Sequence, residues 1–148
     1  LEYNENVDLT NFVLDMSEAF VKGYAIVRLK PYATVKVRYS PQGDSSGKVD
    51  RESVALTVSN GSFGEIDVQR IWFLTSFNRP VYSESIDSNL PVKVSEDNQA
   101  TYFVPVTELK AALNKIVGET IVKAVALDKD GHRYEGRADR VTQEALVR

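Results

Sequence analysis

From Ala25 to Tyr39 the chain alternates. Odd positions Ala25, Val27, Leu29, Ala33, Val35, Val37 and Tyr39 are largely apolar, while even positions include Arg28, Lys30, Lys36 and Arg38. Successive side chains of a strand point to opposite faces, so a period of two specifies a half-buried strand; apolar residues of a helix recur every three or four positions instead. Pro31 has no N–H to give to a ladder, so it divides this stretch into two strands or marks an edge. The even-numbered cations also suit an edge, where charge opposes unwanted strand pairing.

The alternation returns further along. "SPQGDSSGKVDRES" reads as a polar loop, and "VALTVSN" alternates through Val54, Leu56 and Val58 before the turn residues Asn60-Gly61, after which a hairpin-like return is expected. In "EIDVQRIWFLTSF", Ile66 and Val68 share one parity and Ile71 and Phe73 the other, which places a β-bulge near Gln69-Arg70. The run "IWFL" fits a central strand, with Trp72 in the core or half in it. Short strands are expected at Val81–Ser85, Val92–Val94 and Ala100–Val104, then "TIVKAVALD", "HRYEGRA" and a terminal strand around Val141–Val147.

Two segments carry the helical period. Leu9, Phe12, Val13, Met16 and Phe20 line one face of an expected helix over residues 9–22, started by Asp8 and ended by Lys22-Gly23. Val106, Leu109, Leu113 and Ile116 line a short connecting helix with Thr107 as its N-cap and Gly118 beyond its end. Many short strands with turn signals between them point to a mainly β fold, an antiparallel sandwich with one N-terminal and one connecting helix. Residues 1–23 are expected to form an amphipathic segment packed on a domain spanning 24–148.

Composition excludes several functions. Eighteen Lys+Arg against 21 Asp+Glu give a net charge of −3, which argues against a dedicated nucleic-acid binder. Without cysteine there is no disulfide, thiolate zinc site or thiol nucleophile. No apolar run reaches the roughly 20 residues that span a bilayer, so the chain as given is expected to be soluble. It starts at Leu1-Glu2, which leaves open a removed targeting segment and, with it, a cell-envelope location.

The most motif-like stretch is "ALDKDGHRYEG", with Asp128 and Asp130 beside the single histidine, His132. A calcium loop needs an oxygen ligand at its fifth position and glycine at its sixth, where this chain has His132 and Arg133. Asp130-Gly131 instead signals a tight hairpin of type I′, with both residues at positive φ. No metal or other cofactor is expected, and His132 reads as a surface histidine. "GDSSGK", residues 43 to 48, is one residue short of a phosphate loop and is followed by a strand, so it reads as a connection. "NGS" at residues 60 to 62 matches a glycosylation acceptor, but a turn explains it. No serine, histidine and acid, nor any carboxylate pair, is held at a catalytic spacing, and the chain reads as non-enzymatic. The candidate interaction surface is the even face of the early strands, Tyr24, Arg28, Lys30, Tyr32, Lys36 and Arg38, which combines cations with aromatics.

"VALTVSNGSFGEIDVQRIWF", "LPVKVSEDNQATYFVPVTELKAAL" and "IVKAVALDKDGHRYEG" together resemble bacterial immunoglobulin-like β-sandwich domains over roughly Val35 to Ala138. The resemblance places Asn60-Gly61 in a turn, Leu90-Pro91 before a strand, Leu109 and Leu113 on the connecting helix, and Asp128, Gly131 and Tyr134 in the closing hairpin. It implies structural positions and no catalytic residues. Members often follow a membrane helix as extramembrane modules; the charged amphipathic N-terminal stretch here departs from such an anchor. The expected function is an interaction or accessory module with a polypeptide partner, the alternative being a carbohydrate- or cell-surface-binding module.

Overall fold

The computed structural model describes residues 31–43 and 49–148, with short extended segments among residues 8–29. In that early region Phe12–Asp15 pairs with Asp8–Leu9 and with Arg28–Leu29, and Phe20–Val21 pairs with Tyr24–Ala25, all antiparallel. The helix expected over residues 9–22 lies in large part outside the described residues; where the backbone there is described, it is extended.

From Ala33 onward two antiparallel sheets share one core. The first joins β1 (Ala33–Gly43), β2 (Val49–Asn60) and β6 (Gln99–Pro105) in the order β6-β2-β1. The second runs β5-β3-β7-β8, built from β3 (Ile66–Thr75), β5 (Val92–Val94), β7 (Ile121–Asp128) and β8 (Arg133–Arg137), with the two-residue β4 (Pro80–Val81) also on β3. Alternation dictates which side chains meet. Val35, Val37, Val54, Leu56, Val58 and Val104 come inward from the first sheet, and Val68, Ile71, Phe73, Ile121 and Ala124 from the second. Each large side chain fully buried this way contributes on the order of 1.5–3 kcal/mol. None of the described helices is long and apolar enough to cross a membrane.

The parity change in β3 is a bulge at Gln69. β7 pairs Leu127 with Arg70 and then Asp128 with Val68, so Gln69 has no opposite residue, and both Gln69 and Arg70 are exposed. The extra residue is what lets Ile66 and Val68, and then Ile71 and Phe73, all face inward.

Other segments depart from the sequence expectations. The polar loop after β1 is shorter, since β1 and β2 pair as far as Gly43 and Val49. The Asn60-Gly61 turn carries the chain from the first sheet into the second, and β2 pairs with β1 and β6 instead of returning on β3. Buried Asn60 staples this crossing: Nδ2 donates to the carbonyls of Gly64 and Val94, and Oδ1 accepts from the Ser62 N–H and hydroxyl. An amide engaged in this way has no free nitrogen for a glycan in the folded chain. Of the expected Val81–Ser85 strand only Val81 lies in a strand, the two-residue Pro80–Val81, and α1 (Glu84–Asp87) follows with Ile86 buried.

The connecting helix α2 (Val106–Ala112) carries the chain from the first sheet to the second, but Pro105, not Thr107, is its N-cap. It ends early because Leu113 is extended, which leaves Ile116 95% exposed and off the expected apolar face. The expected terminal strand is helix α3 (Arg140–Val147). Asp139 caps it by accepting from the Thr142 N–H at 2.8 Å, and Thr142, Ala145 and Leu146 are buried at helical spacing. A threonine in the buried stripe, with the apolar Val141 and Val147 exposed, made the segment look like a strand.

α3 and β8 cover one edge of the first sheet. Val37 of β1 bridges Ala138 in parallel, and the Tyr39 N–H donates to Thr142 Oγ1 at 2.7 Å. The approach is so close that a Cβ on Gly136 would lie 1.9 Å from the Val35 carbonyl oxygen, so only glycine fits.

Candidate functional site

With odd residues of β1 buried, its even residues Lys36 and Arg38 stand on the outer face of the first sheet. β2 turns Ala55, Thr57 and Ser59 outward between them and Gln99, Thr101 and Phe103 of β6. The register sets three rows across the sheet: Thr34–Ser59–Gln99, Lys36–Thr57–Thr101 and Arg38–Ala55–Phe103. Because the middle strand carries only small side chains, the face is a trough along the strand direction, lined by Lys36, Arg38, Ala55, Thr57, Ser59 and Gln99. Two strand spacings separate its walls, about 9.5 Å at the backbone. The Thr57 and Thr101 hydroxyls meet at 3.0 Å across the floor, and Phe103 is 55% exposed at one wall.

Among the described residues this face carries no acid. Its charges are Lys36, Arg38 and Arg51, and the remaining outward positions are hydroxyls, amides, Ala55, Phe103 and Pro105. In a chain of net charge −3 that is a segregation of sign on this face, with Asp139, off the sheet, within electrostatic reach of Arg38. Of the six residues expected to form the surface, Lys36 and Arg38 are together here. Tyr32 lies at the strand's entry, with its ring against Gly61. Tyr24 and Arg28 are described only as backbone in paired segments, and Lys30 lies outside the described residues. The β2 and β6 contributions were hidden in the sequence because only pairing reveals that Thr57 opposes both Lys36 and Thr101.

The closing hairpin brings Asp128, Asp130 and His132 together, with one potential ligand atom from each within 4.8 Å of the others. Asp128 is nevertheless fully engaged. Oδ1 accepts from the N–H groups of Asp130 and His132, both at 2.9 Å, and Oδ2 from the Tyr134 hydroxyl at 2.7 Å, with His132 Nδ1 at 3.2 Å. Burial raises the Asp128 pKa, but these hydrogen bonds outweigh it and hold the carboxyl below its ordinary range. Burial, and then the Asp128 contact, push the Tyr134 phenol well up. The loop is not the expected type I′ turn. Only Gly131 has positive φ, at 87°; its N–H donates to the Asp128 carbonyl, and the Asp128 N–H to the carbonyl of His132. This is a three-residue connection in which a type I turn precedes a left-handed glycine.

On the outer face of the second sheet, Trp72 is half-buried on the side opposite Ile71 and Phe73. The Arg133 guanidinium lies 5.6 Å from its ring centroid and Tyr82 lies 6.3 Å away, tilted by 41°. Beside Tyr82, Gln69, Arg70, Asp87 and Leu90 line a groove.

An ion pair between half-exposed Arg79 and buried Glu119 fixes the far end of this sheet. Glu119 is 3% exposed and accepts from Arg79 at 2.6 and 3.1 Å and from the Asn114 N–H. Its pKa is lowered to about 2, first by Arg79 and then by Thr75 and Asn114. Arg79 also donates to the Ala112 carbonyl, so the contact ties the β3–β4 turn to the end of α2 and serves architecture.

No protein-family model matches the chain, and no curated protein or solved structure is significantly similar to it.

Proposed function

We propose that this chain is a non-enzymatic, immunoglobulin-like β-sandwich module that binds an acidic polypeptide on the outer face of its first sheet. The observation that carries this reading is the acid-free trough between Lys36 and Arg38 on one side and Gln99, Thr101 and Phe103 on the other. A trough running along the strands suits an extended chain, hydroxyls and amides suit its peptide groups, and the two cations suit its carboxylates. The test is binding of fluorescent poly-L-glutamate, measured by anisotropy. Binding should weaken with salt, because the contacts are exposed, and fall at least tenfold in Lys36→Glu/Arg38→Glu. Equal binding of single-stranded oligothymidylate would reduce the trough to a general polyanion surface and sink the proposal.

Carbohydrate binding is a second reading, favoured by Trp72 and Tyr82 beside the Gln69, Arg70 and Asp87 groove. Aromatic faces suit the apolar faces of sugars, and the polar groups suit their hydroxyls. On a glycan array, retention abolished by Tyr82→Ala but not by the double charge reversal would favour this reading over the first.

A further inference from the structure

The two edges of the first sheet differ. β1 is covered by β8 and α3, whereas β6 pairs only with β2 among the described residues and has α1 packed beside it without strand pairing. The phase of the β6–β2 ladder identifies which groups are left over. Asn60 donates its N–H to the Asn98 carbonyl at 2.9 Å, so in this register Asn98 lies at a hydrogen-bonded position. Antiparallel pairs alternate between bonded and non-bonded, so Ala100, Tyr102 and Val104 face β2, while Gln99, Thr101 and Phe103 turn N–H and C=O away from it. The Thr57–Thr101 hydroxyl contact fits this phase, because side chains approach most closely at non-bonded pairs. Pro105 fits it too, since it falls where no N–H is needed. Among the described residues, β6 pairs with no strand other than β2, and no turn or loop backbone group bonds to Gln99, Thr101 or Phe103.

Space lies beside this edge. A groove of about 560 Å³ is lined by Thr101, Phe103, Ser85 and Asn89 and floored by Val92, Ala100 and Tyr102. The floor residues are half-buried and packed against the core. An apolar side chain entering the groove would therefore extend the core, while Ser85 and Asn89 remain for polar groups.

We infer that the free edge of β6 receives an extended polypeptide segment of the partner as an added strand, with alternate apolar side chains in the groove. This deepens the polypeptide-binding reading and rests on it. The occupant follows from chemistry: three N–H and three C=O groups in line, repeating every two residues, are complementary to another extended backbone. The trough cations stand two strands away and bind neighbouring acidic portions of the same partner.

The test uses the full chain and a displayed library of random dodecapeptides, with enriched peptides resynthesised and their Kd values measured. Enriched peptides should carry apolar residues at alternate positions. Thr101→Pro should weaken their binding at least tenfold while leaving the melting temperature nearly unchanged, because the Thr101 N–H takes no part in the β2 ladder. Methylating peptide nitrogens at one alternate set of positions should abolish binding, and methylating the other set should not; this readout stands even if Thr101→Pro fails to fold. Peptides that tolerate both methylation sets and lose affinity only in Lys36→Glu/Arg38→Glu would overturn strand addition and leave polypeptide binding intact. Enrichment of no peptide above background would overturn both.

Discussion

The Tyr134 hydroxyl donates to Asp128 Oδ2 at 2.7 Å, and neither residue is more than 7% exposed. Asp128 thereby ties β7 to β8 while its other oxygen holds the intervening loop. Removing one member strands the other in a buried site, so Tyr134→Phe should cost about 1–3 kcal/mol in urea unfolding. Asp128→Ala should cost at least as much, since it also frees the N–H groups of Asp130 and His132. A double-mutant cycle reads the coupling; additive losses would show that the contact does not stabilise the hairpin.

The same engagement governs metal binding. Asp128 would have to surrender existing hydrogen bonds to coordinate an ion, so millimolar calcium or zinc should leave the melting temperature unchanged. A ligand specific for the folded state raises it by mass action. A saturable rise that disappears in Asp130→Ala would show that the three side chains do form a site.

Gly131 and Gly136 are required for different reasons. Gly131→Val forces a β-branched residue to a φ of 87° and should cost about 1–3 kcal/mol, whereas Asp130→Asn should stay within about 0.5 kcal/mol. Gly136→Ala leaves the torsions accessible but drives a methyl into the Val35 carbonyl, which can yield only if the sheets part. Its cost should equal or exceed the roughly 1–3 kcal/mol typical of overpacking. Denaturant midpoints of the three variants give the ranking, and a neutral Gly136→Ala would contradict the close seam.

Acid sensitivity should trace to Glu119. Its folded pKa of about 2 lies below the ordinary 4.5, so its contribution is complete above the ordinary value and is lost as the pH falls from about 4.5 towards 2. Glu119→Gln should melt below the wild type at pH 7, and the gap should narrow across that window. A gap that stayed constant from pH 7 to pH 2 would assign the stabilisation to the shape of the side chain instead of its charge.

Much of the fold was legible in the sequence because alternation is a local signal. Val54, Leu56 and Val58 announced their buried face, and the parity change announced the bulge at Gln69. Segments whose packing depends on distant partners were not legible. α3 buries Thr142 through Asp139 and the Tyr39 N–H, and the most local clue was the Asp139-x-x-Thr142 spacing of a capped helix start. The trough was half legible: Lys36 and Arg38 share a parity, but its floor depends on the pairing of Lys36 with Thr57 and its second wall on that of Thr57 with Thr101. The open edge was equally hidden, because the single Asn60–Asn98 hydrogen bond fixes the ladder's phase.

The parallel seam between β1 and β8 also determines how the molecule carries load. Residue 33 begins one of these strands and Ala138 follows the end of the other, so tension applied between those two points slides β1 along β8. Separation then requires the Val37–Ala138 bridge and the packing of Gly136 on the Val35 carbonyl to give way together, whereas a pull across the strands would break them in turn. The glycine that permits the close seam thus sets a shear geometry, one that should resist a pull along the strands more than a pull across them.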